Sequence, residues 1–118
     1  MAKIEAFEEL VSWQKGRELT RAVYRLSKNG QFSRDFALRD QIRSACISIT
    51  SNIAEGFSRG SAKEKRQFYR TALASLTETQ NQLLIARDVG YMKSDVFQKL
   101  ALQSVKVSKL VNGLIKSA

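Results

Sequence analysis

The sequence predicts an all-α protein, an antiparallel up-down-up-down bundle of four helices forming a single domain over residues 1–118. Three observations lead there. Apolar residues recur at helical spacing in four separate stretches, and no stretch sustains the period-two alternation of a half-buried strand. Pro is absent, and the six Gly fall mostly between those stretches. The joints are short, which suits helices that pack as antiparallel neighbours.

The first helix is expected over residues 8–28, stopped by Asn29-Gly30. Its inner face reads Leu19, Ala22, Val23 and Leu26, while Leu10, Trp13, Arg17 and Tyr24 form a second stripe on another side. A helix in an isolated bundle needs one apolar face. The second stripe therefore predicts a contact outside the monomer.

The second helix is expected over residues 34–57, with Ser33 as its N-cap and Asp35 in the first turn. Leu38, Ile42, Ala45, Ile49 and Ile53 make its core stripe, and no charge occurs from Ser44 through Ala54. Beside that stripe run Ser44, Ser48, Ser51, Glu55 and Arg59. The small side chains among them let another helix approach, so this helix is expected to be buried on most sides of an assembly.

The third helix, over residues 62–89, opens on the capping box Ser61-Ala62-Lys63-Glu64, in which hydroxyl and carboxylate each take an unpaired backbone N–H. Phe68, Ala72, Leu76, Thr79, Leu83 and Ala86 follow as its core stripe, and Gly90 ends it. The fourth helix, over residues 95–116, starts at an N-cap signature in Ser94-Asp95. Val96, Leu100, Val107, Leu110, Val111 and Leu114 form its inner face, with Lys99, Lys106, Lys109 and Lys116 expected on the opposite side.

Composition narrows the functional classes. Lys and Arg number 20 against 11 Asp and Glu, a net charge of +9 spread along the chain. Such an excess favours RNA, DNA or an anionic membrane surface. His is absent, which removes the usual general base near neutral pH and the commonest metal ligand. Cys46 has no second cysteine to pair with and sits in an apolar run, as a small core residue of a reduced cytosol would. Neither a metal site within one chain nor a cofactor is expected. No apolar run reaches the roughly 18 residues of a membrane span. The start MAKIEAFEEL is acidic, unlike a signal peptide, so a soluble cytoplasmic protein is expected.

Four local patterns bear on chemistry. Gly56-Phe57-Ser58-Arg59-Gly60-Ser61 lacks the spacing and the Lys of a phosphate loop. The helix opening after it, with Arg59, Lys63 and Arg66 around it, can seat one backbone phosphate. The plainer alternative is a capped turn with solvated charges. Asn52 and Glu55 interrupt an apolar helix, and burying a carboxylate demands a partner. Arg59, Arg43 and Glu78 complete an expected buried network that fixes helix register. A Glu55/Glu78 pair doing acid–base work is the rival reading, but no nucleophile or metal ligands stand beside it. Ser12-Trp13-Gln14-Lys15 matches S-x-x-K without the companion motifs of Ser-Lys enzymes. Finally, Trp13, Arg17, Arg21, Tyr24 and Lys28 alternate aromatics and cations on one helix. That stripe suits either base stacking with phosphate neutralisation or an inter-subunit contact. The lysine row of the fourth helix has the blander alternative of a solvated face.

The ordered set Leu10, Trp13-Gln14-Lys15, Leu38, Gln41, Arg43, Ala45, Ser48-Ile49, Asn52-Ile53-Ala54-Glu55-Gly56, Arg59, Ser61, Glu64, Phe68, Ser75-Leu76, Glu78, Gln82-Leu83 and Gly90-Tyr91 spans nearly the whole chain. It resembles the four-helix-bundle family of 23S rRNA intervening-sequence proteins, which is related to the accessory variability determinant proteins of diversity-generating retroelements. That family commonly has Pro where this chain has Thr50, so the second helix is expected to be straighter here. The resemblance implies a homo-oligomer, typically a pentamer, and no established enzymatic activity. For the retroelement relatives it implies nucleic-acid binding and association with a reverse transcriptase.

Taken together, the expectation is a non-enzymatic, homo-oligomeric bundle that binds RNA or DNA through basic surfaces. Five copies would carry about +45, and weak contacts would add through avidity. The candidate contacts are Arg17, Arg21, Lys28, Arg59, Lys63, Arg66, Lys99, Lys106 and Lys109, with Trp13 and Tyr24 as stacking or interface residues. The alternative is an oligomeric scaffold for a protein partner such as a reverse transcriptase.

Overall fold

The computed structural model describes residues 3–118, so the first two residues of the expected domain lie outside the described residues. Helices α1 (Val11–Ser27), α2 (Phe36–Ser58), α3 (Ala62–Asp88) and α4 (Ser94–Ser117) carry the fold, with single 3-10 turns at Phe7–Glu9 and Phe32–Arg34. No strand occurs among the described residues. Helix α1 packs on α2 and α4, and α3 packs on the same two helices, so the four close around one core. The molecule is 45 Å long and 25 by 19 Å across. At 1.5 Å per residue, α3 alone is about 40 Å long, so the helices lie side by side along that axis. No described helix is long and apolar enough to cross a membrane.

The apolar stripes meet as expected. Leu19 and Val23 of α1, Ile42, Ile49 and Ile53 of α2, Leu76 and Leu83 of α3, and Val107 and Val111 of α4 are fully enclosed. Two positions differ from the pattern. Leu10, read onto the outer stripe that was expected to meet another molecule, is buried in this core. Tyr69 is buried, while Phe68 is half-buried beneath the Arg59 guanidinium. The reason is Gly56, whose missing side chain leaves the space that the Tyr69 ring fills. Periodicity of apolar residues also missed Ser12, Ser27, Ser75, Gln82 and Ser104, which are buried polar residues. Cys46 is enclosed as expected, and burial pushes its thiol up from its ordinary 9.0 to about 12.

The caps correct three expectations. Helix α1 starts at Val11, because the residues before it form a 3-10 turn and Leu10 is extended. The N-cap of α2 is Asp35, whose carboxylate accepts from the Leu38 N–H at 3.1 Å. The Ser33 hydroxyl instead donates to the Gly30 carbonyl at 2.6 Å. Helix α4 includes Ser94, and Lys93 precedes it without a side-chain cap. The Ser61 cap of α3 is present, its hydroxyl accepting from the Glu64 N–H at 3.2 Å. The Glu64 carboxylate takes the Ser61 hydroxyl rather than a backbone N–H. Gly30 and Gly90 both adopt positive φ, 61° and 87°, as helix-stopping glycines do.

Helix α2 runs uninterrupted through Thr50. The Thr50 methyl would stand 3.1 Å from a side chain added at Gly16, so α1 and α2 approach closely there. The same pair is linked by the Thr20 hydroxyl, which donates to the Gly16 carbonyl at 2.9 Å and lies 3.4 Å from that of Cys46.

Candidate nucleic-acid interface

Lys15, Glu18, Arg21 and Arg25 follow one another at steps of three or four residues and so share one face of α1. Lys99, Gln103 and Lys106 do the same on α4. Because α1 packs on α4, the two faces border one groove. Its wide part, about 540 Å³, is lined by Arg25, Leu26, Tyr91, Lys99 and Gln103 among others. A middle part of about 340 Å³ is lined by Glu18, Arg21, Arg25 and Gln103. A narrow part of about 180 Å³ is lined by Lys15, Glu18, Gln103 and Lys106. Shared lining residues make these one continuous depression. A flanking recess formed by Glu8, Trp13, Gln14 and Arg17 joins it through Glu18 and Arg21.

Charge in the groove is one-sided. Glu18 is its carboxylate, and it is paired with Lys15 at 3.3 Å. Arg21, Arg25, Lys99 and Lys106 make no ion pair among the described residues. Cations lining a concave surface reinforce one another's field and raise the local concentration of anions.

The structure thus brings together Arg21, Lys99 and Lys106 from the sequence candidates, with Arg17 and Trp13 at the flank. It leaves the others elsewhere. Lys28 and Lys109 are exposed and line none of these recesses. Lys99 and Lys106 do not stand opposite the inner face of α4. Each precedes a core residue, Leu100 or Val107, by about 100° of helix, which turns it toward the α1 flank.

Arg59, Lys63 and Arg66 stand at the α2–α3 joint. Arg59 pairs with Glu55 at 3.1 Å and lies 4.5 Å over the Phe68 ring. Arg66 donates to the Ala118 carbonyl at 3.4 Å, and Lys63 is exposed. Ser61 already serves the opening turn of α3, which favours the capped turn over a phosphate seat. Lys65, absent from the candidates, donates to the carbonyls of Phe57 at 2.6 Å and Gly56 at 3.4 Å, closing the end of α2.

The expected buried network does not form as one unit. The Glu55 side chain is 55% exposed. It lies two residues past Ile53, about 200° around the helix, and so turns outward. Glu78 stands in the same relation to Leu76, is exposed, and accepts from Gln82 at 3.2 Å. Arg43 donates to the Ser27 hydroxyl at 2.8 Å and covers the Tyr24 ring at 4.6 Å, joining α2 to α1. Asn52 donates to Ser48, whose hydroxyl meets that of Ser75 at 2.8 Å, joining α2 to α3. Neither Glu55 nor Glu78 lines the groove described above.

Trp13 and Tyr24 each have one ring face occupied. Arg17 lies 5.6 Å over Trp13, whose other contacts include an edge-on Phe7 at 5.4 Å and the core. Sequence reasoning missed Lys15, Arg25 and Gln103. Their helical spacing was visible, but nothing in it told which helix α1 would face.

The other flank of α4 is apolar. Leu83, Leu84, Phe97, Ala101 and Val105 line a recess of about 230 Å³ between α3 and α4. Leu84 and Val105 are each 43% exposed in the single chain, and Leu102, three residues before Val105 on the outer side of α4, is 71% exposed.

The sequence pattern of the 23S rRNA-intervening sequence protein family matches residues 8–113. Among solved structures, the chain is similar to a protein with unknown function from the S23 ribosomal protein family of Bacteroides thetaiotaomicron. The TM-score is 0.82 at 24% identity, over 90% of this chain and 99% of that one, a likeness of fold. No curated protein matches the chain.

Proposed function

This chain belongs to the 23S rRNA-intervening sequence protein family, and we propose that it is a non-enzymatic, self-assembling protein that binds RNA or DNA along the α1–α4 groove. One observation carries the reading: Arg21, Arg25, Lys99 and Lys106 line a single concave surface and have no carboxylate partner among the described residues. Phosphate backbones are the common polyanions such a surface neutralises, and counterion release drives that binding.

The helices alternate in direction in this reading. Residues 59–61 span at most about 11 Å between α2 and α3, far short of the roughly 35 Å length of α2. Residues 89–93 reach at most about 18 Å, so α4 also returns along α3. Leu84, Leu102 and Val105 support assembly, since large apolar side chains clustered on a surface mark contacts. A pentamer is the assembly proposed, and it would multiply both charge and avidity. A buried, unpaired thiol at Cys46 suits the cytoplasm.

The same apolar flank favours a second reading, a scaffold that holds a protein partner such as a reverse transcriptase. Binding of labelled structured RNA and double-stranded DNA across a salt series, with oligomer mass measured on the same samples, separates the two. Saturable affinity that falls linearly in log salt is expected. A defined oligomer with no binding at low salt would overturn the nucleic-acid reading and leave the scaffold.

A further inference from the structure

The α1–α4 groove changes character along its length. Its narrow and middle parts are polar, bordered by Lys15, Glu18, Arg21, Arg25, Gln103 and Lys106. Its wide part ends against Asn29 and Gly30, and its walls are largely apolar: Ala22, Leu26, Tyr91, Val96 and Leu100. The Tyr91 wall is held rigid. Its ring stacks on Phe32 at 5.1 Å, and its hydroxyl is fixed on Asp35 at 2.8 Å. Arg25 and Lys99 line this apolar recess as well.

A track for the outside of a duplex needs cations alone. An apolar recess of about 540 Å³ that opens into a cationic channel fits a flat, weakly polar group attached to phosphates. We propose that the groove takes single-stranded nucleic acid, with one unpaired base in the recess and its flanking phosphates along Arg25, Lys99 and Arg21. The inference rests on the nucleic-acid reading above and narrows it to the strand form bound. A base inside a duplex is stacked on both faces and paired at its edge, and it enters such a recess only after unstacking and unpairing. An unpaired base pays neither penalty.

Gln103 strengthens the assignment. It lines all three parts of the groove. Its side-chain carbonyl oxygen is closed to solvent without a donor among the described residues. A buried acceptor left unpaired is destabilising. Turning that amide toward a base edge satisfies it, so the ligand supplies what the protein lacks.

The test compares a labelled single strand of twelve nucleotides with the duplex of the same sequence, on the full-length protein at low salt. The single strand is expected to bind more tightly by on the order of tenfold, the worth of one seated base. Asn29→Trp fills the mouth of the recess from an exposed position. It should bring single-strand affinity down to the duplex level without changing oligomer mass. Gln103→Leu, a second and separate change on α4, should weaken the single strand severalfold. Equal affinity for the two forms, or single-strand preference untouched by both variants, overturns the base seat and leaves phosphate binding standing. Absence of binding to either probe overturns both readings.

Discussion

The Tyr91 hydroxyl donates a 2.8 Å hydrogen bond to Asp35 Oδ2, tying the α3–α4 joint to the start of α2. The other oxygen of that carboxylate caps α2 through the Leu38 N–H. One side chain therefore serves two elements 56 residues apart in sequence. The hydrogen bond that Asp35 accepts from the phenol, then burial, then the negative charge of Asp35 hold the Tyr91 ionisation above the ordinary value of 10.0. A raised folded value means that the contribution is intact below pH 10.0 and is lost as pH climbs through the raised value. Tyr91→Phe should lower the denaturation midpoint at neutral pH. The gap between variant and parent should then close above pH 10.0. Urea titrations at neutral and alkaline pH check this, and a constant gap would deny the bond its role.

Gly56 is needed for volume rather than for backbone freedom. A side-chain carbon there would lie 2.6 Å from Tyr69 Cε1 and 3.1 Å from Phe68 Cβ. Tyr69 is only 3% exposed, so its ring has no room to swing away. Gly56→Ala should destabilise by about 1–3 kcal/mol, the range for overpacking a core. Gly113, inside α4 with nothing within 4 Å, is the control. Gly113→Ala should stabilise by roughly 0.5–1 kcal/mol through helix propensity. Thermal denaturation of the two variants should move in opposite directions.

Cys46 should be chemically silent in the folded protein. Burial raises its thiol to about 12, and the thiolate is the reactive form. A disulfide reagent at pH 8 should label it no faster than the protein unfolds. The raised value also predicts stability that is whole below pH 9.0 and declines as pH rises toward about 12. Rapid labelling in the absence of denaturant would show that the α2 core opens locally.

These residues show why some features were legible in the sequence. Ile42, Ile49 and Ile53 repeat at a helical period, so the core of α2 could be read directly. Ser61 was a readable cap because its partner lies within one turn. Tyr69 was not readable, since its burial depends on a glycine 13 residues away on another helix. Asp35 was read as a first-turn charge, and the distant hydroxyl that also claims it was invisible. The groove was half legible for the same reason. Stripes such as Arg21 with Arg25, or Lys99 with Lys106, are properties of one helix. Their union depends on α1 facing α4, a relation carried by the closing of the bundle and not by either stripe. Glu55 misled because its uncharged neighbours suggested burial, whereas its angle from Ile53 points it outward.

Charge reversal should separate groove cations from the remaining basic surface. Arg25→Glu with Lys99→Glu should weaken nucleic-acid binding and lower the slope of log affinity against log salt by about 1 for each phosphate no longer neutralised. Lys109→Glu changes net charge by the same amount per site but lies outside the groove. It should leave the slope nearly unchanged. Equal weakening from all three sites would mean that diffuse charge, and not the groove, does the binding.

The apolar flank of α4 makes the last prediction. Leu102 is 71% exposed in the single chain, so Leu102→Glu should change monomer stability by less than about 0.5 kcal/mol. In an assembly that covers this flank, the same carboxylate would be buried without a partner, a strongly unfavourable state. Light scattering should therefore show a smaller particle, while circular dichroism shows unchanged helix content. Nucleic-acid affinity should fall along with the mass by more than the new carboxylate, four residues from Lys106, takes away by itself, because phosphates that each subunit holds weakly add up only when the subunits are joined. An unchanged mass with unchanged affinity would move the self-association surface away from Leu102 and leave this flank to a different protein partner.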